Sequence, residues 1–86
     1  MFYGYLKLGD ETQFTYSEAA EDGTVRVIVE QPRDMGFNSA ECLLPTFTWS
    51  HIEGFSKKDV EWLDTFVRNN APMIMQLAWE KAKTYA

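Results

Sequence analysis

The chain changes its hydrophobic period once. From Met1 to about Ile52 apolar residues recur at every second position, and from Lys57 onward they recur three and four apart. The first spacing puts side chains on alternate faces of a strand, and the second puts them on one stripe of a helix. Met1 to Leu8 sets Phe2, Gly4, Leu6 and Leu8 against Tyr3, Tyr5 and Lys7, which predicts a first strand closed by the turn residues Gly9-Asp10-Glu11. A second strand runs from Thr12 to about Ser17 through Phe14 and Tyr16. Asp22-Gly23 is a hairpin signal, because a type I′ turn needs positive φ at both central residues. With those two residues as the loop, Tyr16 faces Val29, Phe14 faces Gln31, and Val25, Val27 and Val29 share a face with Phe14 and Tyr16. Glu18-Ala19-Ala20-Glu21 is poor strand material and argues for a longer loop.

Pro32 cannot donate to a ladder and is expected to end the third strand, which leaves residues 31–38 as the longest irregular stretch. A fourth strand follows from Ala40 to Ser50 or Ile52. Its phase slips at Leu43-Leu44-Pro45, with Ala40, Cys42 and Leu44 before the slip and Phe47 and Trp49 after it. A proline at a phase slip predicts a bulge, a bend or an edge strand.

Phe55-Ser56-Lys57-Lys58-Asp59-Val60 opens the helical part. Ser56 and Asp59 have capping-box spacing, and Phe55 and Val60 have the spacing of a hydrophobic staple. Val60, Leu63, Phe66 and Val67 then form one stripe, with Trp62 beside it. Asn69-Asn70-Ala71-Pro72 is expected to break or kink the helix, and Pro72 suits the first turn of a second one. That second part carries Met73, Ile74, Met75, Leu77, Ala78, Trp79, Ala82 and Tyr85, leaving Gln76, Glu80 and Lys83 as its only clear polar stripe. The expected fold is α+β: a four-stranded, mostly antiparallel sheet followed by one kinked or two consecutive helices packed on one face. Residues 1–86 read as one domain, β-rich over 1–53 and helical over 55–85.

With 45% apolar and 15% aromatic residues the chain can offset its conformational entropy, so disorder is not expected. The net charge of −5 is uneven: residues 1–55 hold nine acids and three bases, and residues 56–86 four acids and five bases. No basic footprint for phosphate is visible, which argues against nucleic acid. The single cysteine, Cys42, rules out an internal disulfide framework and fits a reducing compartment. No signal-like or bilayer-long apolar run occurs, so no membrane partner is expected and the cytoplasm is the expected location.

Cys42 and His51 are the sole soft ligands, too few for a zinc site, which takes about four. The five glycines form no phosphate-binding pattern. Neither a metal, a cofactor nor a catalytic residue is therefore assigned, and the chain is not expected to be an enzyme. The residues that suggest function are aromatic and thioether side chains: Trp49, Trp62, Met73, Met75 and Trp79 are candidate interface positions, since Trp and Met are enriched where proteins meet.

Gly54-Phe55-Ser56-Lys57-Lys58-Asp59-Val60, continuing to Asn70 and the late Trp79, resembles the C-terminal part of a small uncharacterised bacterial family. Its members have strands followed by a Gly-Phe-Ser-capped helix and a tryptophan near the end, and some are encoded beside toxin–antitoxin genes. The likeness covers about a third of the chain; a Pro-His-x-His strand motif of that family is missing here, and Pro72 stands where its helices run on. The resemblance implies a β-then-α fold and a bacterial or phage-like setting. The leading reading is a non-enzymatic module that self-associates into a homo-oligomer or docks a protein partner through the apolar side of the C-terminal helix. The alternative is an acidic regulator or inhibitor, antitoxin-like or phage-encoded, that covers a basic protein surface. A third reading, a small enzyme using His51 with Glu53 or Cys42, requires those groups to converge.

Overall fold

Five strands and one helix follow one another along the chain in the computed structural model. They are β1 (Phe2–Lys7), β2 (Gln13–Ser17), β3 (Val25–Arg33), β4 (Gly36–Leu44), β5 (Thr48–Glu53) and α1 (Lys57–Tyr85). The structure describes residues 1–85, with only the backbone of Thr84 and Tyr85, so the apolar placement expected of the Tyr85 side chain lies outside it. Each strand pairs antiparallel with the next, giving a sheet in the order β1-β2-β3-β4-β5. The period-two pattern directs Phe14, Tyr16, Val25, Val27, Val29, Ala40, Cys42 and Leu44 to one face, where all are buried. Helix α1 lies on that face and adds Leu63, Val67, Ile74 and Ala78 to the same core. No described element covers the opposite face, which an antiparallel sheet tolerates when that face carries polar residues.

The sheet departs from expectation in two ways, and the second of them makes five strands of the expected four. Residues 31–38 are not irregular: β3 and β4 continue as a hairpin through Gln31↔Asn38, Pro32↔Phe37 and Arg33↔Gly36, with Asp34-Met35 as the loop. Strand β2 has already ended opposite Glu30, so Pro32 sits where β3 has β4 on one side only. A residue without an N–H is tolerated at such an edge. The stretch from Ala40 to Ile52, expected as one strand, reverses at Pro45-Thr46-Phe47 and pairs with itself as β4 and β5. The phase slip at Leu43-Leu44-Pro45 is this reversal. It returns Trp49 to a position opposite Cys42, on the core face.

The register of the β2–β3 hairpin also differs. Tyr16 faces Val27 and Phe14 faces Val29, two residues from the pairing that a two-residue Asp22-Gly23 loop imposes. The connection spans residues 18–24, and Asp22 acts as an acceptor within it: its Oδ1 takes the Thr24 amide at 3.0 Å and the Thr24 hydroxyl at 2.7 Å. A shift of two is a full period of the pleat, so the expected core residues keep their face. In β1 an extra residue at Tyr5 interrupts the alternation, and Tyr3, Tyr5 and Leu8 all pack toward the core while Phe2 and Leu6 stay exposed.

The helix starts as its sequence requires. The Asp59 amide donates to Ser56 Oγ at 3.1 Å, and the Ser56 amide donates to Asp59 Oδ2 at 2.9 Å. The Ser56 amide first, and then the Ser56 hydroxyl and the nearby Arg33 charge, hold the Asp59 carboxyl below its usual range. It does not end at Pro72, however; one helix runs from Lys57 to Tyr85. The buried residues explain why, because Leu63, Val67, Ile74 and Ala78 stay in one stripe only if helical phase continues through the proline. Pro72 itself is exposed, so water can reach the carbonyl left without its usual donor. Such a proline costs about 3 kcal/mol, offset by roughly 0.4–1 kcal/mol from its stiffening of the unfolded chain. Pro72→Ala is therefore expected to stabilise by about 2 kcal/mol and raise the thermal midpoint by roughly 8–16 °C. An unchanged midpoint in a calorimetric scan would show that the helix already relieves the proline by other means.

Candidate interaction surface

Three contacts fix how α1 lies on the sheet, and through it where the candidate residues point. Tyr5 donates its hydroxyl to Asn70 Oδ1 at 2.6 Å on the β1 side. The Ala19 amide, in the β2–β3 connection, donates to the Ala78 carbonyl at 3.1 Å. On the β5 side the Trp49 indole N–H donates to Asp64 Oδ1 at 2.9 Å, while Arg68 Nε donates to Asp64 Oδ2 at 2.7 Å. The Trp49 hydrogen bond, and then Arg68, hold the Asp64 carboxyl below its ordinary range despite partial burial. Arg68 also lies over the Phe47 ring at 4.3 Å.

These contacts divide the five candidate positions. Trp49 is half-buried and its one donor is taken by Asp64, so it fastens β5 to the helix. Met75 is half-buried against the core. Trp62, Met73 and Trp79 are 55%, 52% and 46% exposed. Helical spacing puts Trp62, Phe66 and Met73 on one flank of the buried stripe and Trp79 on the other, where Gly23 approaches its ring. The five therefore do not form one patch. Two of them do share a flank, and there Trp62 is not free to swing. It stacks on Phe66 at 5.6 Å between ring centroids, and Phe66 stacks on the buried Phe14 at 4.5 Å, so three rings run from the core to the surface.

Two clefts border the first half of the helix. One, of about 340 Å³, lies between α1 and the β1–β2 turn, with Trp62 and Asp59 on the helix side and Leu8, Asp10 and Thr12 opposite. Its polar groups are tied together: the Thr12 amide donates to Asp10 Oδ1, Gln31 Nε2 donates to Asp10 Oδ2 and to Thr12 Oγ1, and Asn38 Nδ2 donates to Gln31 Oε1. The Thr12 hydrogen bonds hold the Asp10 carboxyl low, so it stays an ionised acceptor within the network. The second cleft, of about 480 Å³, lies between α1 and the edge strand β5, and Trp49, Ile52, Phe55 and Val60 give it an apolar lining.

The groups required by an enzymatic reading lie apart. Cys42 is buried on the core face, and burial pushes its thiol up to about 12. The His51 side chain is 79% exposed and sits at a bulge in β5 with φ +52°, beside Ser50 and Glu41 on the uncovered face. Arg26 already clasps Glu41 with two hydrogen bonds there. Among the described residues no group of three or more His, Cys, Asp or Glu is placed to hold a metal ion, and no helix is long and apolar enough to cross a membrane. Comparison with family models, with curated proteins and with solved structures returned no match.

Proposed function

We propose that this chain is a non-enzymatic interaction module of the cytoplasm that docks another protein against the Trp62–Met73 flank of α1. The observation that carries the reading is the ring stack of Trp62 on Phe66 on Phe14, which leaves a large aromatic surface half exposed and already held in place. An anchor of this kind loses little side-chain freedom on binding, which is why rigid aromatic residues dominate the energetics of many interfaces. Met73, two turns beyond Phe66, supplies an adaptable apolar neighbour. The occupant is a protein with an apolar segment long enough to touch both.

Met73→Glu tests this without disturbing the core, because the side chain is already half in water. Met75 is unsuited, since it packs inward. A partner captured by the wild-type chain is expected to bind the variant about 2 kcal/mol more weakly, roughly thirtyfold, by titration calorimetry, with an unchanged thermal midpoint. Equal binding to both chains would place the docking surface elsewhere.

A further inference from the structure

The β3–β4 hairpin overhangs the sheet. Strand β2 ends opposite Glu30, and β5 ends opposite Ser39, so the last pairs of the hairpin, down to Arg33↔Gly36, project past both neighbours. Turn tips are normally polar. This one presents Met35, 99% exposed, with Phe37 close behind at 65%. Two large apolar side chains on a projecting tip form a knob that the described residues leave exposed.

The same end of the molecule carries an apolar groove. Glu53 pairs with Ser39, which brings the end of β5 beside the base of the hairpin, and the groove between β5 and α1 opens there over Ile52, Phe55 and Val60. Its helix-side rim bears Lys57 and Glu61, while the knob bears Arg33 and Asp34. None of these four makes an ion pair with another described residue. Knob and rim therefore each offer one cation and one anion; Arg33 also helps to hold the Asp59 carboxyl of its own chain low, while Asp34, Lys57 and Glu61 are exposed.

We propose that two copies of this chain associate by reciprocal insertion, the Met35–Phe37 tip of each entering the groove between β5 and α1 of the other. A second copy is the occupant because the chain itself carries both halves of the contact, side by side at one end, so a twofold axis satisfies both at once and closes the assembly at two. Arg33 meets Glu61 and Asp34 meets Lys57 across the contact, and the thioether of Met35 adapts to the groove. This surface is independent of the Trp62–Met73 flank.

Light scattering and sedimentation of the full chain across a dilution series test the proposal. The 10.0 kDa chain is expected to pass to a species of about 20 kDa as concentration rises. Met35→Asp removes the knob at a site that contributes nothing to the core, so it should leave thermal unfolding unchanged while raising the dissociation constant at least tenfold. Ile52→Lys in the groove should do the same. The double variant Met35→Asp with Ile52→Lys can form a new ion pair across the contact and should recover part of the loss. A monomer at every concentration up to millimolar would overturn the proposal. So would a dimer indifferent to Met35→Asp, a dimer lost only with Met73→Glu, or a mass that grows beyond two copies.

Discussion

Phe14→Ala should unfold far below the wild-type chain, with a loss of about 3–5 kcal/mol and a thermal midpoint lowered by roughly 15–30 °C. Phe14 is fully buried, sits opposite Val29 on β2, and carries the Phe66 ring at 4.5 Å. Truncation removes the transfer free energy of the ring and leaves a void that the sheet backbone cannot close, because β2 is held by ladders on both sides. The loss also reaches the surface: Phe66 loses its support, and Trp62 loses the ring that fixes it. Denaturant titration should show a lower midpoint with an unchanged slope. A cost below about 1 kcal/mol would mean that the helix is not seated on β2 through this stack.

Gly54→Ala should cost about 2–4 kcal/mol, although the residue is exposed and makes no side-chain contact. Gly54 has φ +83°, where an L side chain is strained by about 1–2 kcal/mol. A Cβ there would also fall on the side-chain amide of Asn38 and come within 3.3 Å of its Cα. Asn38 is buried and hydrogen-bonded to Gln31, which in turn holds Asp10 and Thr12. It cannot move aside without leaving polar groups unpaired, at about 1–3 kcal/mol each. Gly4→Ala is the control, since an added Cβ at Gly4 meets nothing within 4 Å. Comparable losses in the two variants, measured by urea titration, would refute the close approach of Gly54 to Asn38.

What the sequence made legible follows from the range of each interaction. The capping box of Ser56 and Asp59 is closed within four residues, and the helix starts where those residues place it. The face shared by Phe14, Tyr16, Val25, Val27 and Val29 depends on parity alone, so it survived a register error of two. Pro32 was misleading, and Pro72 left one helix and two equally open, because each obeys a distant condition. Pro32 is tolerated in a strand because β2 stops opposite Glu30, and Pro72 is tolerated in a helix because Ile74 and Ala78 are buried beyond it. Local propensity yields in both cases to tertiary context.

The candidate surface was legible to a similar depth. Trp62 and Met73 flank the buried stripe, as helical spacing requires, and both are exposed. Trp49 could not be placed from its neighbours, because its partner Asp64 is fifteen residues away and its face is set by the reversal at Pro45-Thr46-Phe47 that precedes it. The separation of Cys42 from His51 depends on the same reversal and on the β5 bulge. Met35 and Phe37 lay inside a stretch expected to be irregular. Two apolar residues beside Gly36 in an otherwise polar segment were the signal of a tip that projects them.

Strand order and chain order coincide here, and among the described residues the element that roofs the sheet follows all five strands. Each hairpin can zip as soon as its second arm exists, because every ladder joins consecutive strands. At synthesis rates of about 5–20 residues per second, the stretch from Leu44 to Ala78 takes roughly 2–7 s to follow. Until that stretch is made, Phe14, Val27, Val29 and Cys42 lack the helix residues that bury them in the folded protein. A chain that stops before Ile74 lacks the buried second half of its helix, and the sheet it can form keeps that apolar face and the edges of β1 and β5 uncovered.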